Sequence, residues 1–226
     1  MKKWICLALL LASFLALFSA EPIAYLVKSK GSVQLYRNQE AVRFANGELL
    51  YDNDEIFTGK DAYAAIKYAD GGVTVKIFPN SVVRFSAVKQ NKQLNKTTVI
   101  SVGSVFSQIS NKIKGIYQAE TPNTVASVKG TEFIIRYNVN NVTQVIVLEG
   151  EVIVQNKDSG KSKNVAQGYS AESGSDGEVY VRETKVGEVT DAEQKEIESV
   201  NQVSPKTIRI QMIDANGNIK YLEITY

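Results

Sequence analysis

The sequence predicts an all-β fold, a β-solenoid-like roll of short strands with one short helix and a C-terminal β-hairpin. Two observations carry this expectation. Apolar and polar residues alternate with period two in short runs, the pattern of strands with one face inward. Gly, Pro, Asn and Asp clusters break those runs at roughly 8–12-residue intervals, as in all-β rolls and sandwiches. No long helical periodicity separates the runs, which argues against a parallel α/β fold. The 226-residue chain is 44% hydrophobic and 22% charged, an ordinary globular composition with enough apolar material for a sizeable core.

The chain opens with Lys2 and Lys3, an apolar run over residues 4–18, and Phe18-Ser19-Ala20 before Glu21-Pro22. That order is the pattern of a secretory signal peptide, residues 1–20, cut after Ala20. Phe18 stands where a small side chain is preferred, so an uncleaved segment is the alternative, and the one route by which this chain would meet a membrane. Cys6, the only cysteine, lies inside the run, which leaves the mature chain without a disulfide or thiol. A lipoprotein needs a cysteine at the cut, where Glu21 stands. Export removes two lysines and no acid, leaving 24 basic against 24 acidic residues, a balance that gives no case for nucleic acid or an anionic membrane.

From Ile23 to Arg182 the sequence reads as one β domain, residues 21–182. Val73, Val75 and Ile77 alternate with Thr74, Lys76 and Phe78, between the turn signals Asp70-Gly71-Gly72 and Pro79-Asn80-Ser81. Further strands are expected over 97–102, 105–109, 132–139, 145–148 and 152–155, punctuated by Gly103, Asn140-Asn141 and Glu149-Gly150. A loop over 173–177 precedes one more strand over 178–182. Residues 183–226 then read as a short helix and a hairpin. Thr190-Asp191-Ala192-Glu193 is a capping box, Val189, Ile197 and Val200 form a narrow apolar stripe, and Pro205 ends the helix. Ile208, Ile210 and Met212 share one strand face, Leu222, Ile224 and Tyr226 another, and residues 214–218 supply the turn. A lone hairpin is marginal in water, so this one is expected to cap the chain's own sheet edge or, less favoured, to pair with a partner.

Thr121-Pro122, then Ala126-Ser127-Val128-Lys129-Gly130-Thr131-Glu132-Phe133, then Val147-Leu148-Glu149-Gly150-Glu151-Val152, resemble the core of the FecR domain family. Upstream, Gly31-Ser32-Val33, the run Leu50-Tyr51-Asp52-Asn53-Asp54-Glu55-Ile56-Phe57-Thr58-Gly59, Ala65-Ile66, Asp70-Gly71 and Pro79-Asn80-Ser81 fit the same pattern. Val165-Ala166-Gln167-Gly168 is similar to its closing turn, so the resemblance runs over about residues 31–171. The motif positions are Asp54, Gly59, Asp70, Gly71, Pro79, Asn80, Thr121, Pro122, Val128, Gly130, Thr131, Phe133, Glu149 and Gly150. Their physical reading is structural: glycines at sharp turns or close approaches, Asp54 and Thr131 bonding nearby backbone, and Phe133 filling the interior. The resemblance implies a β-solenoid-like roll. In FecR-type regulators the domain is periplasmic and receives a signal from an outer-membrane iron transporter. Those regulators also carry a cytosolic anti-sigma segment and a membrane span. Here only Met1-Lys2-Lys3 precede the apolar run, so this chain is not expected to hold a sigma factor itself.

There is no histidine, which excludes Ser-His-Asp and Cys-His nucleophilic catalysis and the usual zinc sites. Asp52, Asp54 and Glu55, and Asp176 with Glu178, keep carboxylate chemistry open in principle, but acidic clusters at turns are usually solvated. Asp52-Asn53-Asp54 and residues 214–218 lack the Gly and Glu that complete a calcium loop. Gly59-Lys60 and Gly160-Lys161 lack the rest of a P-loop, and the eleven tyrosines read as packing residues. The expectation is therefore a non-enzymatic binding or signalling module of the bacterial envelope, without cofactor or metal, contacting a protein. A glycan or peptidoglycan partner, held by tyrosines on one sheet face, is the alternative, and a β-helix lyase or hydrolase the third reading.

Overall fold

The computed structural model describes residues 21–90, 93–201, 207–213 and 219–225, with side chains through Ser199. The signal-peptide reading, Cys6, Pro205, Tyr226 and the hairpin turn at 214–218 fall outside the described residues. The chain divides into two compact units, Met1–Thr184 and Lys185–Tyr226, and each is taken by itself.

The first unit is built from β1 (Ala24–Lys30), β2 (Val33–Arg37), β3 (Glu40–Val42), β4 (Leu49–Leu50), β5 (Glu55–Thr58), β6 (Tyr63–Tyr68), β7 (Val73–Ile77) and β8 (Ser81–Gln90). There follow the long β9 (Gln93–Ile109), β10 (Tyr117–Glu120), β11 (Thr124–Val128), β12 (Glu132–Tyr137), β13 (Thr143–Glu149), β14 (Glu151–Asn156), β15 (Ser162–Ala166), β16 (Tyr169–Ser173) and β17 (Val179–Glu183). Hydrogen bonding links them in two ladders. The first runs β4-β1-β6-β7-β9-β12-β13-β16-β17. The second runs β3-β2-β5-β8-β9-β10-β11-β14-β15, with β9–β10 its one parallel pairing among the described residues. Neither ladder closes on itself, so the sheet is open.

β9 belongs to both ladders. Its first part pairs with β8 as far as Val102, and its last part, from Gly103 to Ile109, pairs with β7 and β12. Gly103 was expected to separate two strands; instead it bends one. Its φ is +100°, and the Ser81 hydroxyl occupies the space a Cβ would fill. A residue free of that Cβ lets the backbone change layer without giving up its ladder bonds.

Alternate residues of the two ladders meet in one core. Leu26, Ile66, Val75, Ile135 and Val145 come from the first ladder, and Leu35, Ile56, Val83, Ile100, Val152 and Val154 from the second. Three ring contacts bridge the layers: Tyr68–Phe85 at 6.1 Å, Tyr68–Tyr117 at 6.2 Å and Tyr117–Phe133 at 6.5 Å between centroids. Aromatic pairs at such spacings add to simple area burial.

The chain passes between layers at two opposite rims, the two ends of β9's last part. In the N-terminal half the crossings stack at Ser32, Gly59, Asn80 and Ser104. Gly59 N–H donates to Ser32 C=O (2.9 Å), Asn80 N–H to Gly59 C=O (3.1 Å) and Phe78 N–H to Ser104 C=O (3.0 Å). In the C-terminal half they stack at the other rim, where Ile109 N–H donates to Thr131 C=O (3.0 Å), Ser110 N–H to Gly72 C=O (2.9 Å) and Gln167 N–H to Gly150 C=O (3.0 Å). Turns that bond one another leave few orphan backbone groups, which a stack of short strands needs.

In the second unit α1 (Asp191–Asn201) starts as a capping box. Thr190 N–H donates to the Glu193 carboxylate (2.9 Å), and Glu193 N–H to the Thr190 hydroxyl (3.2 Å). β18 (Thr207–Ile213) and β19 (Ile219–Thr225) pair in antiparallel register from Thr207↔Thr225 to Ile213↔Ile219. Among the described residues no helix is long and apolar enough to cross a membrane.

Candidate functional site

The second rim carries a cleft of about 330 Å³. Its wall is a register row across the first ladder: Lys67 opposite Thr74, Thr74 opposite Gln108, Gln108 opposite Glu132, and Glu132 opposite Glu149. Its floor is the stacked turns, with Gly71, Gly72, Ser110, Asn111, Gly130 and Thr131. Because strand side chains alternate, one polar residue per strand at the same level yields a continuous polar strip from residues far apart in sequence.

Each turn is held by specific bonds. The Asp70 carboxylate accepts the Gly72 N–H (3.2 Å) through one oxygen and pairs with Lys96 Nζ (2.6 Å) through the other. Lys96 is fully buried and also donates to Leu94 C=O (2.8 Å), so its charge is matched by an anion and a carbonyl. Gly130 has φ +71°, and the Asn111 carboxamide lies where its Cβ would be. The Thr131 hydroxyl donates to Glu151 C=O (3.0 Å), and Gln108 Nε2 donates to the Glu132 carboxylate (2.7 Å).

Of the sequence-expected motif residues, Gly71, Gly130, Thr131 and Glu149 line this cleft. Asp70 and Gly150 lie in the same turns, and Val128 ends the buried strand leading into one of them. Gly59, Pro79 and Asn80 lie on the opposite rim, and Phe133 is in the core. Thr121 and Pro122 lie in the β10–β11 turn. There a knot the sequence did not reveal is centred on Asn123, whose side-chain carbonyl accepts the hydroxyls of Thr121 (3.1 Å), Thr124 (2.9 Å) and Thr143 (2.6 Å). Pro122-Asn123 reads only as a turn, since two of the three donors are local and the third is twenty residues on.

Asp54 is buried and grips Arg37, missed by sequence reasoning, in a two-armed pair: Nε at 2.9 Å and Nη2 at 2.8 Å. Its carboxylate also accepts Tyr51 N–H (2.9 Å). Hydrogen bonding to Asp54 raises the Arg37 pKa above its ordinary value. A second cleft, about 680 Å³, lies beside this pair and is lined by Arg37, Tyr51, Asp52 and Lys89 among others. Its charges are engaged: Lys89 with Glu21 (3.2 Å), and Asp52 with the Ser86 hydroxyl (2.6 Å) and Ala87 N–H (3.1 Å).

The other acidic residues weighed for chemistry are likewise occupied. Glu55 neighbours Arg84 (3.5 Å), Glu178 pairs with Lys161, and Asp176 accepts the Tyr180 hydroxyl (3.0 Å), a bond that raises the Tyr180 pKa. Among the described residues no group of three His, Cys, Asp or Glu side chains is placed to hold a metal ion. Tyr68 and Tyr117 are in the core and share the Thr98 hydroxyl (3.0 and 3.1 Å), with Ser107 on Tyr117 (2.8 Å). Burial pushes both phenols up, Tyr117 to about 12. These two are packing residues, not a sugar platform.

Residues 54–153 match the model of the FecR protein family. Two crystal structures of a candidate anti-sigma factor from Parabacteroides distasonis are similar in fold. The one at 2.50 Å superposes with a TM-score of 0.50 at 16% identity, and the one at 1.65 Å with 0.49 at 14%. Each match covers 76% of this chain and 84% of the other. No curated protein matches the chain in sequence.

Proposed function

We propose that this protein is a non-enzymatic signalling module of the bacterial envelope that binds a protein partner through the rim cleft. The observation that carries the reading is convergence. Motif residues from three separate turns, Gly71, Gly130-Thr131 and Glu149, meet in one polar cleft, while the carboxylates weighed for catalysis sit in separate bonds. A binding surface needs shape and polar groups; a catalytic centre needs reactive groups brought together. The crystal structures similar in fold carry the name of a regulator, which agrees with signalling.

The finer reading follows from the sequence. Residues 1–20 are a signal peptide, and the mature chain works in the periplasm or at the cell surface. The two ladders with their stacked crossings are a β-solenoid-like roll, and the motif residues away from the cleft hold its turns. Residues 183–226 form a separate C-terminal segment. Deleting residues 206–226 tests the hairpin: a lowered melting temperature marks self-capping, whereas unchanged melting with lost partner binding marks docking.

Site-specific photocrosslinking in intact cells tests the cleft. A crosslinking amino acid at Glu149 is expected to give a discrete adduct with an envelope protein, and one at Asn164, exposed on the other ladder, is not. The same adduct from both positions, or one from Asn164 alone, overturns the assignment; a shift of cell-wall glycan instead of protein favours the glycan reading.

A further inference from the structure

Seven residues, 110–116, carry the chain from β9 to β10 along the edge of the cleft. Backbone bonds tie their two ends to the body, among them Lys96 N–H to Ile116 C=O (2.9 Å). Ser110 N–H bonds Gly72 C=O (2.9 Å) at one end, and Ile116 N–H bonds the Asn95 side chain (3.1 Å) at the other. Between them Lys112 N–H bonds the Ser110 hydroxyl (3.2 Å) and Ile113 N–H bonds Ser110 C=O (3.2 Å), both within the segment. Side chains hold the middle. Ile113 packs against the core, with its Cγ2 only 2.5 Å from where a Cβ on Gly72 would stand, and Asn111 occupies the space of the missing Cβ of Gly130.

We propose that residues 110–116 are a movable strap forming one wall of the rim cleft, held shut by two seats, Ile113 on Gly72 and Asn111 on Gly130. The proposal rests on the cleft being the binding surface. It gives Gly72 and Gly130 a role beyond turning the chain: each leaves a space that a strap side chain fills. Ser110 and Asn111 line the cleft directly, so an entering partner meets the strap and selects its open or closed position. A segment secured by side-chain packing instead of ladder bonds opens locally without unfolding the sheet.

Lys112 and Lys114 are exposed, and they make the strap readable by trypsin without any partner. In the mature chain under native conditions, cleavage after these two lysines measures the open population. Gly72 lies outside the positive-φ region, so Gly72→Ala adds a methyl against Ile113 without backbone strain. We expect Gly72→Ala to speed cleavage at the strap roughly tenfold, and Ile113→Ala to do likewise. In the Ile113→Ala background Gly72→Ala should add little, because the two act through one contact. Unchanged cleavage in Ile113→Ala, equal increments in both backgrounds, or cuts spread through the strands would overturn the proposal. Should Gly72→Ala fail to fold, Ile113→Ala alone decides, since unchanged cleavage there refutes the strap. A failed strap with a retained crosslink at Glu149 leaves the binding surface standing.

Discussion

Tyr117 holds its fully buried phenol between Ser107 and Thr98, and burial carries its pKa to about 12. An unfolded tyrosine releases its proton near 10. Between those values the folded chain keeps a proton that the unfolded chain loses, so stability falls as pH rises through that window. The contribution is complete below pH 10 and gone above the folded value. The unfolding free energy measured in urea should therefore hold up to about pH 10 and then drop by roughly 1 kcal/mol per pH unit. Tyr68, pushed up in the same direction, adds to the slope. Tyr117→Phe should start less stable, having orphaned the Ser107 hydroxyl and taken one of two partners from that of Thr98, but lose stability less steeply above pH 10. An identical slope would show that the phenol is not sheltered. Arg37 and Asp54 make the complementary case for a charge. Arg37→Met leaves a buried carboxylate with only the Tyr51 N–H and should cost about 2–3 kcal/mol in urea unfolding, below the full value for breaking a buried pair because Arg37 is partly exposed.

Elements in this fold are fixed by what meets at their ends. Asn123 sits in the β10–β11 turn, yet its carbonyl collects a hydroxyl from β13 as well as two from its own turn. Asn123→Ala should cost roughly 2–3 kcal/mol, the penalty for buried donors deprived of an acceptor. A loss below 0.5 kcal/mol would mean that water replaces it. The same geometry explains what the sequence could and could not disclose. Period-two alternation finds β7 at Val73–Ile77, one residue shorter than the run read to Phe78, because Val73, Val75 and Ile77 face the core. β12 ends at Tyr137, two residues before the expected Val139, because the Asn138 side chain already takes the N–H groups of Asn140 and Val142 into the turn. Gly103 misled because a glycine at a layer-changing bend has the same signature as one at a break. The cleft was partly legible: Asp70-Gly71, Gly130-Thr131 and Glu149-Gly150 stood out as turns. That they share one rim depends on register, which links Lys67 to Glu149 through four ladder steps that no local pattern encodes. Arg37 and Lys96 escaped for the same reason, their partners being set by pairing across distant strands.

At the scale of the whole molecule, the core and the family match have different extents. The FecR match covers residues 54–153, but the hydrophobic cluster draws on β1 at one end and on Val165, Ala171 and Val179 at the other. β1 lies beside β6, pairing from Ala24↔Tyr68 to Lys30↔Tyr63, and so shields one side of the matched segment. A fragment cut to residues 54–153 would strip β1 from β6 and β2 from β5, take strands from both ladders and present open edges. It is expected to aggregate or stay unfolded. Residues 21–184 contain every member of the cluster, from Ile23 to Val179, and retain both ladders. That fragment is expected to give a strand-dominated circular dichroism spectrum and a single cooperative urea transition. If instead 54–153 folds cooperatively and 21–184 does not, then the flanking strands are accessories and the cooperative unit is the matched segment. The first outcome would make the folding unit larger than the segment by which the family is recognised, with β1–β4 and β15–β17 completing the layers that hold the rim cleft in register.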